Sequence, residues 1–282
     1  MKLASYKDGS RDGQLVVVSR DLAMAHYATA AAHTLQQALD DWNFIAPQLQ
    51  DLYVALNQGR ARHAFAFEPA RCMAPLPRTF QWVAVDPESQ VQAGPAGTLS
   101  RLRQAAGDAF LGPCDDMVWH DPALAAECVA GPAVIIGDLP ARASPEQALD
   151  AIRLLMLVND WCGRESAADA APARPGTAFS PVAVTLDELG PAWQRGCLQL
   201  PLQPTRNGQP LGQTEPDRSA LHFGQWLSLL GRQRRLAAGT VLGCMALQFP
   251  VIDEGDQLRI EISSPDGQSL CGAIAQTLTL PT

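Results

Sequence analysis

The stretch LLMLVNDWCGRE, Leu154–Glu165, decides how this chain is read. Five apolar residues stop at Asn159-Asp160, and Trp161, Cys162, Gly163, Arg164 and Glu165 follow. A carboxylate and a guanidinium thus emerge together where a buried segment ends. Such a place can hold a metal ion or an anionic substrate, and it can equally be an ordinary salt-bridged turn. Upstream, Ser144-Pro145-Glu146-Gln147 is a helix start, with a serine cap, proline in the first turn and an early carboxylate. The expectation is a helix from Ser144 to about Val158 that delivers Asn159-Asp160.

Composition limits the function classes. The chain has 282 residues, 47% of them hydrophobic, which suits one large core or a core with a satellite. Net charge is −8, and the only dense basic cluster is Arg232, Arg234 and Arg235, placed where a helix would end. Nucleic acid is therefore not an expected partner. No apolar run reaches the length of a membrane span, and the N-terminus lacks the apolar run of a signal peptide. The seven cysteines are scattered and show neither CxxC nor zinc spacing, so they read as core fillers in a reducing cytoplasm.

Along the chain, Asp8-Gly9 and Asp12-Gly13 are turns between short strands, and Gln14 to Ser19 is a β-branched run. Thr34 to Gln37 is a capping box. The helical spacing that follows is expected to split at Pro47 and stop at Gly59. His63 to Phe67 alternates like a strand, and Pro75-Leu76-Pro77 marks a boundary. The expected organisation is a small α/β module over 1–77 and a mainly β core over 78–282, an α+β protein. Residues 84–109 read as a long loop or a weak helix around Leu99 to Ala106. Phe110 to Asp116 reads as a turn. Ala133 to Ile136 is a buried strand, and residues 166–176 are a linker by composition. Val182 to Val184, Leu258 to Ile262 and Ser269 to Ile274 are expected strands. Arg206-Asn207-Gly208 is a hairpin turn, and Ser219 to Arg232 a helix. Strands in hairpins, and no glycine-rich phosphate loop, argue against a nucleotide-binding sheet.

The stretches MKLASYKDGSRDGQLVVVSRDL at 1–22, TLQQALDDWNFIAPQLQDLY at 34–53, CMAPLPR at 72–78 and FLGPCDD at 110–116 resemble the fumarylacetoacetate hydrolase family. So do Asn159-Asp160-Trp161, TAFSPVAVT at 177–185, HFGQ at 222–225 and GDQLRIEI at 255–262. The resemblance is to the bacterial branch with an extra N-terminal domain. It implies a mixed β-sandwich roll, a homodimer, and Mg2+-, Mn2+- or Ca2+-dependent cleavage or rearrangement of diketo and related oxo acids. That chemistry needs a hard cation on oxygen ligands, a general base, and cations for the substrate carboxylate.

Several of these parts are missing. Aligned on Ala133-Val134, the family's paired metal glutamates become Val129 and Gly131, which leaves Glu127 as a displaced candidate ligand. The segment that carries the family's histidine base is replaced by residues 84–109, which contain no histidine. His120 reads as a surface or core histidine. Asp160 matches a metal carboxylate, and Arg164 matches a substrate-binding arginine. Cys162 stands for serine, Glu165 for aspartate, and Arg174 for the active-site lysine. Cys244 to Phe249 replaces a Gly-Thr turn. If Met245 to Phe249 folds inward, apolar side chains fill the old pocket.

The expected function is a family protein that binds an oxo- or diketo-acid-like carboxylate after losing most of its metal-dependent hydrolase site. It would be a pseudoenzyme or a metal-independent lyase, tautomerase or cyclase. No cofactor is expected, although the family's ions are Mg2+, Mn2+ or Ca2+. Arg164 and Arg174 are the candidate anion contacts. Cys162 is a candidate nucleophile or acid, with a buried filler as the plainer reading. One alternative is continued hydrolysis or decarboxylation, with Glu127, Asp115 or Asp116 helping Asp160. The other is a non-catalytic binding or partner subunit.

Overall fold

The computed structural model describes residues 1–86, 101–164, 173–212, 222–264 and 266–281. Its N-terminal strands are β1 (Lys2–Tyr6), β2 (Gln14–Val18), β3 (Met24–Tyr27) and the short β4 (Phe65–Ala66), an antiparallel series in that order. Between β3 and β4 lie α1 (Leu35–Asp40) and α2 (Trp42–Asn57). The Thr34–Gln37 capping box starts α1 as expected. The break between the helices is at Asp41, not at Pro47. Pro47 is exposed inside α2, where it removes the bond to the carbonyl four residues before it without ending the helix. Gly59, at φ +66°, closes α2, with Arg60 N–H donating to the Ala55 carbonyl and Gly59 N–H to that of Leu56.

The core follows with β5 (Trp82–Val85), β6 (Leu102–Ala105), β7 (Met117–Val118) and β8 (Ala125–Ile136). The Ser144 capping box opens a helix as expected, but this α3 (Pro145–Asp150) is only six residues long. The apolar run belongs instead to β9 (Ile152–Arg164), which pairs with β8 along its whole length. A strand buried on both faces reads as a continuous apolar run and cannot be told from a buried helix by period alone. In space the alternation is plain. Leu155, Leu157 and Trp161 enter one core, and Leu154, Met156 and Val158 enter the other.

Next come β10 (Ala173–Phe179) and β11 (Ala183–Val184), the small pair β12 (Trp193–Gln194) and β13 (Cys197–Leu198), then β14 (Gln203–Arg206) and β15 (Gln209–Pro210). The expected linker is corrected in its last part, where residues 173–176 form β10; residues 165–172 lie outside the described residues. Asn207 and Gly208 both have positive φ in the β14–β15 turn, as a two-residue hairpin of this hand requires. The chain closes with α4 (Phe223–Leu230), β16 (Val241–Cys244), β17 (Leu247–Gln248), β18 (Gln257–Glu261) and β19 (Ile274–Thr279). α4 is capped at His222, and 219–221 of the expected helix lie outside the described residues. The last strand begins at Ile274 instead of Ser269, because Gly272 at φ +72° bends the chain before it.

Two sheets result. The larger runs β4-β3-β2-β1-β11-β9-β8-β16-β5-β6, with β10 on β9 and β17 on β8; β15-β14-β18-β19-β7 form the smaller. One core lies between the sheets and takes in α3 and α4 (Ala148, Phe223, Trp226). The other lies on the opposite face of the large sheet, under α1 and α2 (Leu35, Leu39, Leu49, Tyr53). The N-terminal module is tied into the large sheet through the pairing of β1 with β11. Gln276 of β19 accepts from Asn159 Nδ2 at 3.1 Å and Trp161 Nε1 at 3.0 Å, which pins β9 to the smaller sheet. Among the described residues, no helix is long and apolar enough to cross a membrane.

Candidate functional site around Asp160

Asp160 faces away from the smaller sheet, on the face of β9 that carries Leu154, Met156 and Val158. It is fully buried. A buried carboxylate must be paired to stay charged, and here both oxygens are taken. Thr177 Oγ1, opposite Asp160 on β10, donates to Oδ1 at 2.7 Å. Oδ2 accepts from Arg174 Nη1 at 2.9 Å and from Arg103 Nη2 at 2.8 Å. Arg103 also holds Asp86, through Nε at 3.2 Å. Burial alone would lower the pKa of Arg103, but Asp160 and Asp86 beside it carry it above its ordinary value.

The Arg103 contact depends on the shape of the sheet. β6 lies four strand steps from β9. In a flat sheet that is roughly 19 Å, far beyond the reach of one side chain. A 2.8 Å bond therefore requires the sheet to curl until its β6 edge meets the end of β9. The segment read as a loop or weak helix is thus corrected: residues 102–105 are an edge strand, antiparallel to β5, and residues 87–100 lie outside the described residues. Arg103 was not among the expected site residues. Its one sequence signal is the Arg101-x-Arg103 pair, at strand period, in a stretch with little other charge.

The other expected residues are only partly brought together. Arg174 joins Asp160. Glu127 pairs with Cys162 across β8–β9 and lies on the same face, diagonal to Asp160, with Val129 directly opposite Asp160. Glu127 is buried and accepts from Gln248 Nε2 at 3.2 Å. Arg164 ends β9, and its side chain lies outside the described residues. Asp115 is engaged elsewhere by Lys7 and by Gly112 N–H, and Asp116 accepts from Thr277 N–H. His120 is exposed. Met245 and Phe249 do turn inward, one into each core. Among the described residues, no three His, Cys, Asp or Glu side chains are grouped to hold a metal ion.

Cys162 is 7% exposed, and burial pushes its thiol up to about 11. At neutral pH it keeps its proton, and the nucleophile in thiol chemistry is the thiolate. Alkylation of the native protein with iodoacetamide at pH 7 is expected to reach the half-exposed Cys114 and Cys197 first and to spare Cys162 with the other buried thiols. Peptide mass spectrometry reads this directly. Early modification of Cys162 would contradict the burial assigned to it.

The resident group of this kind of site, a divalent cation, does not fit these residues. Asp160 has no free oxygen. The positions that would supply paired glutamates are Val129 and Gly131, and two guanidiniums already neutralise the pocket. Hard cations need several oxygen ligands together.

Comparison with known proteins places the fold. Residues 1–78 match the family description "Fumarylacetoacetase N-terminal domain 2", and residues 96–278 match "Fumarylacetoacetate (FAA) hydrolase C-terminal". No curated protein matches the chain by sequence. Among solved structures, maleylpyruvate hydrolase from Sphingobium sp. SYK-6 aligns at 17% identity and TM-score 0.75, over 100% of both chains. The same enzyme with manganese (II) and pyruvate aligns at 18% identity and TM-score 0.74, again over 100% of both. A probable 2-hydroxyhepta-2,4-diene-1,7-dioate isomerase from Mycobacterium abscessus aligns at 15% identity and TM-score 0.72, over 100% of both. Fumarylacetoacetate hydrolase from Exiguobacterium antarcticum aligns at 16% identity and TM-score 0.68, likewise over 100% of both. The C-terminal match spans well over half of the chain, and the protein belongs to the fumarylacetoacetate hydrolase family.

Proposed function

We propose that this protein binds a small oxo or diketo acid through Arg174 and Arg164 and does so without a divalent cation. The observation that carries the reading is the full engagement of Asp160: both of its oxygens are bonded to Arg103, Arg174 and Thr177. A second observation concerns Arg174. Its Nε–H is buried and has no acceptor among the described residues, a demand that an incoming carboxylate would meet. Cys162 does not serve as the general base in this reading, since burial raises its thiol and keeps it protonated at neutral pH. The reading is therefore a binding protein, or an enzyme for a rearrangement in which guanidiniums stabilise an enolate. Manganese and pyruvate occur together in the structure of the maleylpyruvate hydrolase, and that enzyme makes pyruvate the first probe. A homodimer, read by size exclusion, belongs to the same proposal.

Calorimetric titration tests it. Pyruvate and acetylpyruvate are expected to bind with an affinity that EDTA leaves unchanged. Arg174→Met is expected to weaken them by about tenfold or more, the worth of a charge-assisted hydrogen bond. Stoichiometric Mn2+ binding together with acetylpyruvate turnover would overturn the reading.

A further inference from the structure

We propose that Arg103 is a tethered cation that takes the place of a divalent ion between Asp86 and Asp160, so that removing its guanidinium turns these two carboxylates into a divalent-cation site. The inference rests on the metal-independent reading above and assigns that independence to one side chain.

One atom carries the geometry. Arg103 Nη2 lies 2.8 Å from Asp160 Oδ2 and 3.3 Å from Asp86 Oδ1. Two acids, Asp86 just after β5 and Asp160 on β9, are thus gathered around a single nitrogen, and Nε of the same guanidinium holds Asp86 from the side, at 3.2 Å from Oδ2 and 3.3 Å from Oδ1. The Thr177 hydroxyl on Asp160 adds a third oxygen beside them. Asp86 and Arg103 keep 15% and 22% side-chain exposure, so an ion can reach the place from solvent, while Asp160 keeps none.

Charge decides what the pocket accepts. Among the direct contacts, Asp86 and Asp160 balance Arg103 and Arg174, while the buried Glu127 lies diagonal to Asp160 and bonds Gln248. A divalent ion added to this balanced set meets two guanidiniums and no free carboxylate oxygen on Asp160. Without Arg103 the same set has one excess negative charge: Asp86 loses its guanidinium, and Asp160 keeps only Arg174 on Oδ2 and Thr177 on Oδ1, which favours a hard cation. β6 is an edge strand brought to β9 by the curl of the sheet, so the cation is delivered by the fold and cannot be washed out by a chelator.

Arg103→Met keeps the aliphatic stem and removes the charge. Calorimetry, together with loss of the free Mn2+ signal in paramagnetic resonance, is expected to show one Mn2+ bound. The dissociation constant should be on the order of 10⁻⁴ M, as for weak oxygen sites, and at least about tenfold tighter than any binding by the unmutated protein. The added substitution Asp160→Asn is expected to abolish it. Should Arg103→Met not fold alone, refolding with Mn2+ is expected to recover the native circular dichroism. If the unmutated protein is silent and Arg103→Met neither binds Mn2+ nor is rescued by it, the tethered-cation inference falls and the metal-independent reading stands. If the unmutated protein itself binds one Mn2+ through Asp160, both fall.

Discussion

Asp160→Ala is expected to destabilise the protein by about 3–5 kcal/mol, the range found when one partner of a buried ion pair is removed. The size follows from what is left behind. Arg103 and Arg174 end on the same carboxylate oxygen, with side chains only 22% and 18% exposed. Without Asp160 two guanidiniums are left side by side, and among the described residues only Arg103 keeps an acid, Asp86. Thr177 loses the acceptor of its buried hydroxyl. Asp160→Asn fills the same volume and still accepts from Thr177, so it isolates the charge. It is expected to cost less than alanine but still more than about 1 kcal/mol, since two cations then share a neutral amide. Urea unfolding followed by circular dichroism gives both values. A cost below about 1 kcal/mol for Asp160→Ala would mean that the cluster is hydrated and that the buried network described here does not hold.

The same residues show how far the sequence could be read. Local signals survived intact: the caps at Thr34 and Ser144 and the Asn207-Gly208 turn depend on neighbours a few positions away, and all appear as expected. Asp160 and Arg174 were found by their place in a family pattern, and they do meet. The failures are tertiary. Ile152 to Val158 reads as helix in the sequence because a strand with a core on each face has no polar side to reveal its period. Arg103 was missed because Leu102–Ala105 holds no β-branched residue, and its partner on β9 is reached only after the sheet curls. The decisive contact of the site joins residues 57 positions apart, on strands that never pair.

Arg103 also bears on what a metal-independent reading of the site would mean. A lost ligand leaves a hole or an uncompensated charge, and either costs stability. Here the retained carboxylate is fully bonded, so keeping Asp160 is consistent with a structural role that needs no ion. On the proposed reading, Arg103 and Arg174 supply the positive charge that Asp160 needs, and the chemistry is that of guanidiniums toward a carboxylate or an enolate.

Gly131→Ala is expected to be at least as damaging as Asp160→Ala. A Cβ built at Gly131 lies 1.8 Å from the carbonyl oxygen of Cys244 and 3.2 Å from the amide nitrogen of Ala246. These are backbone atoms, so no rotamer relieves the overlap. The closeness has a cause in the ladder. Gly243 pairs with Ala133 and Leu247 with Ala130, so three residues of the β16–β17 segment span two on β8. This is a bulge. Pro132, which has no N–H to give, sits inside the interrupted stretch, where a central strand can tolerate it. Adding the methyl group must push β16 and β17 off β8 and break the bonds from Ala246 N–H to Ala130 and from Phe249 N–H to Cys128. The expected cost is upwards of about 3 kcal/mol, at the severe end of overpacking, seen as a collapse of soluble yield or of the thermal midpoint. The consequence for function is sharper. Val129→Glu places a carboxylate directly opposite Asp160, but Gly131→Glu, its partner in restoring a period-two pair, meets the same carbonyl. The double substitution is therefore expected to unfold the protein instead of rebuilding a metal site. A folded, Mn2+-binding Val129→Glu/Gly131→Glu variant would show that this backbone still has room for the ligands it lacks.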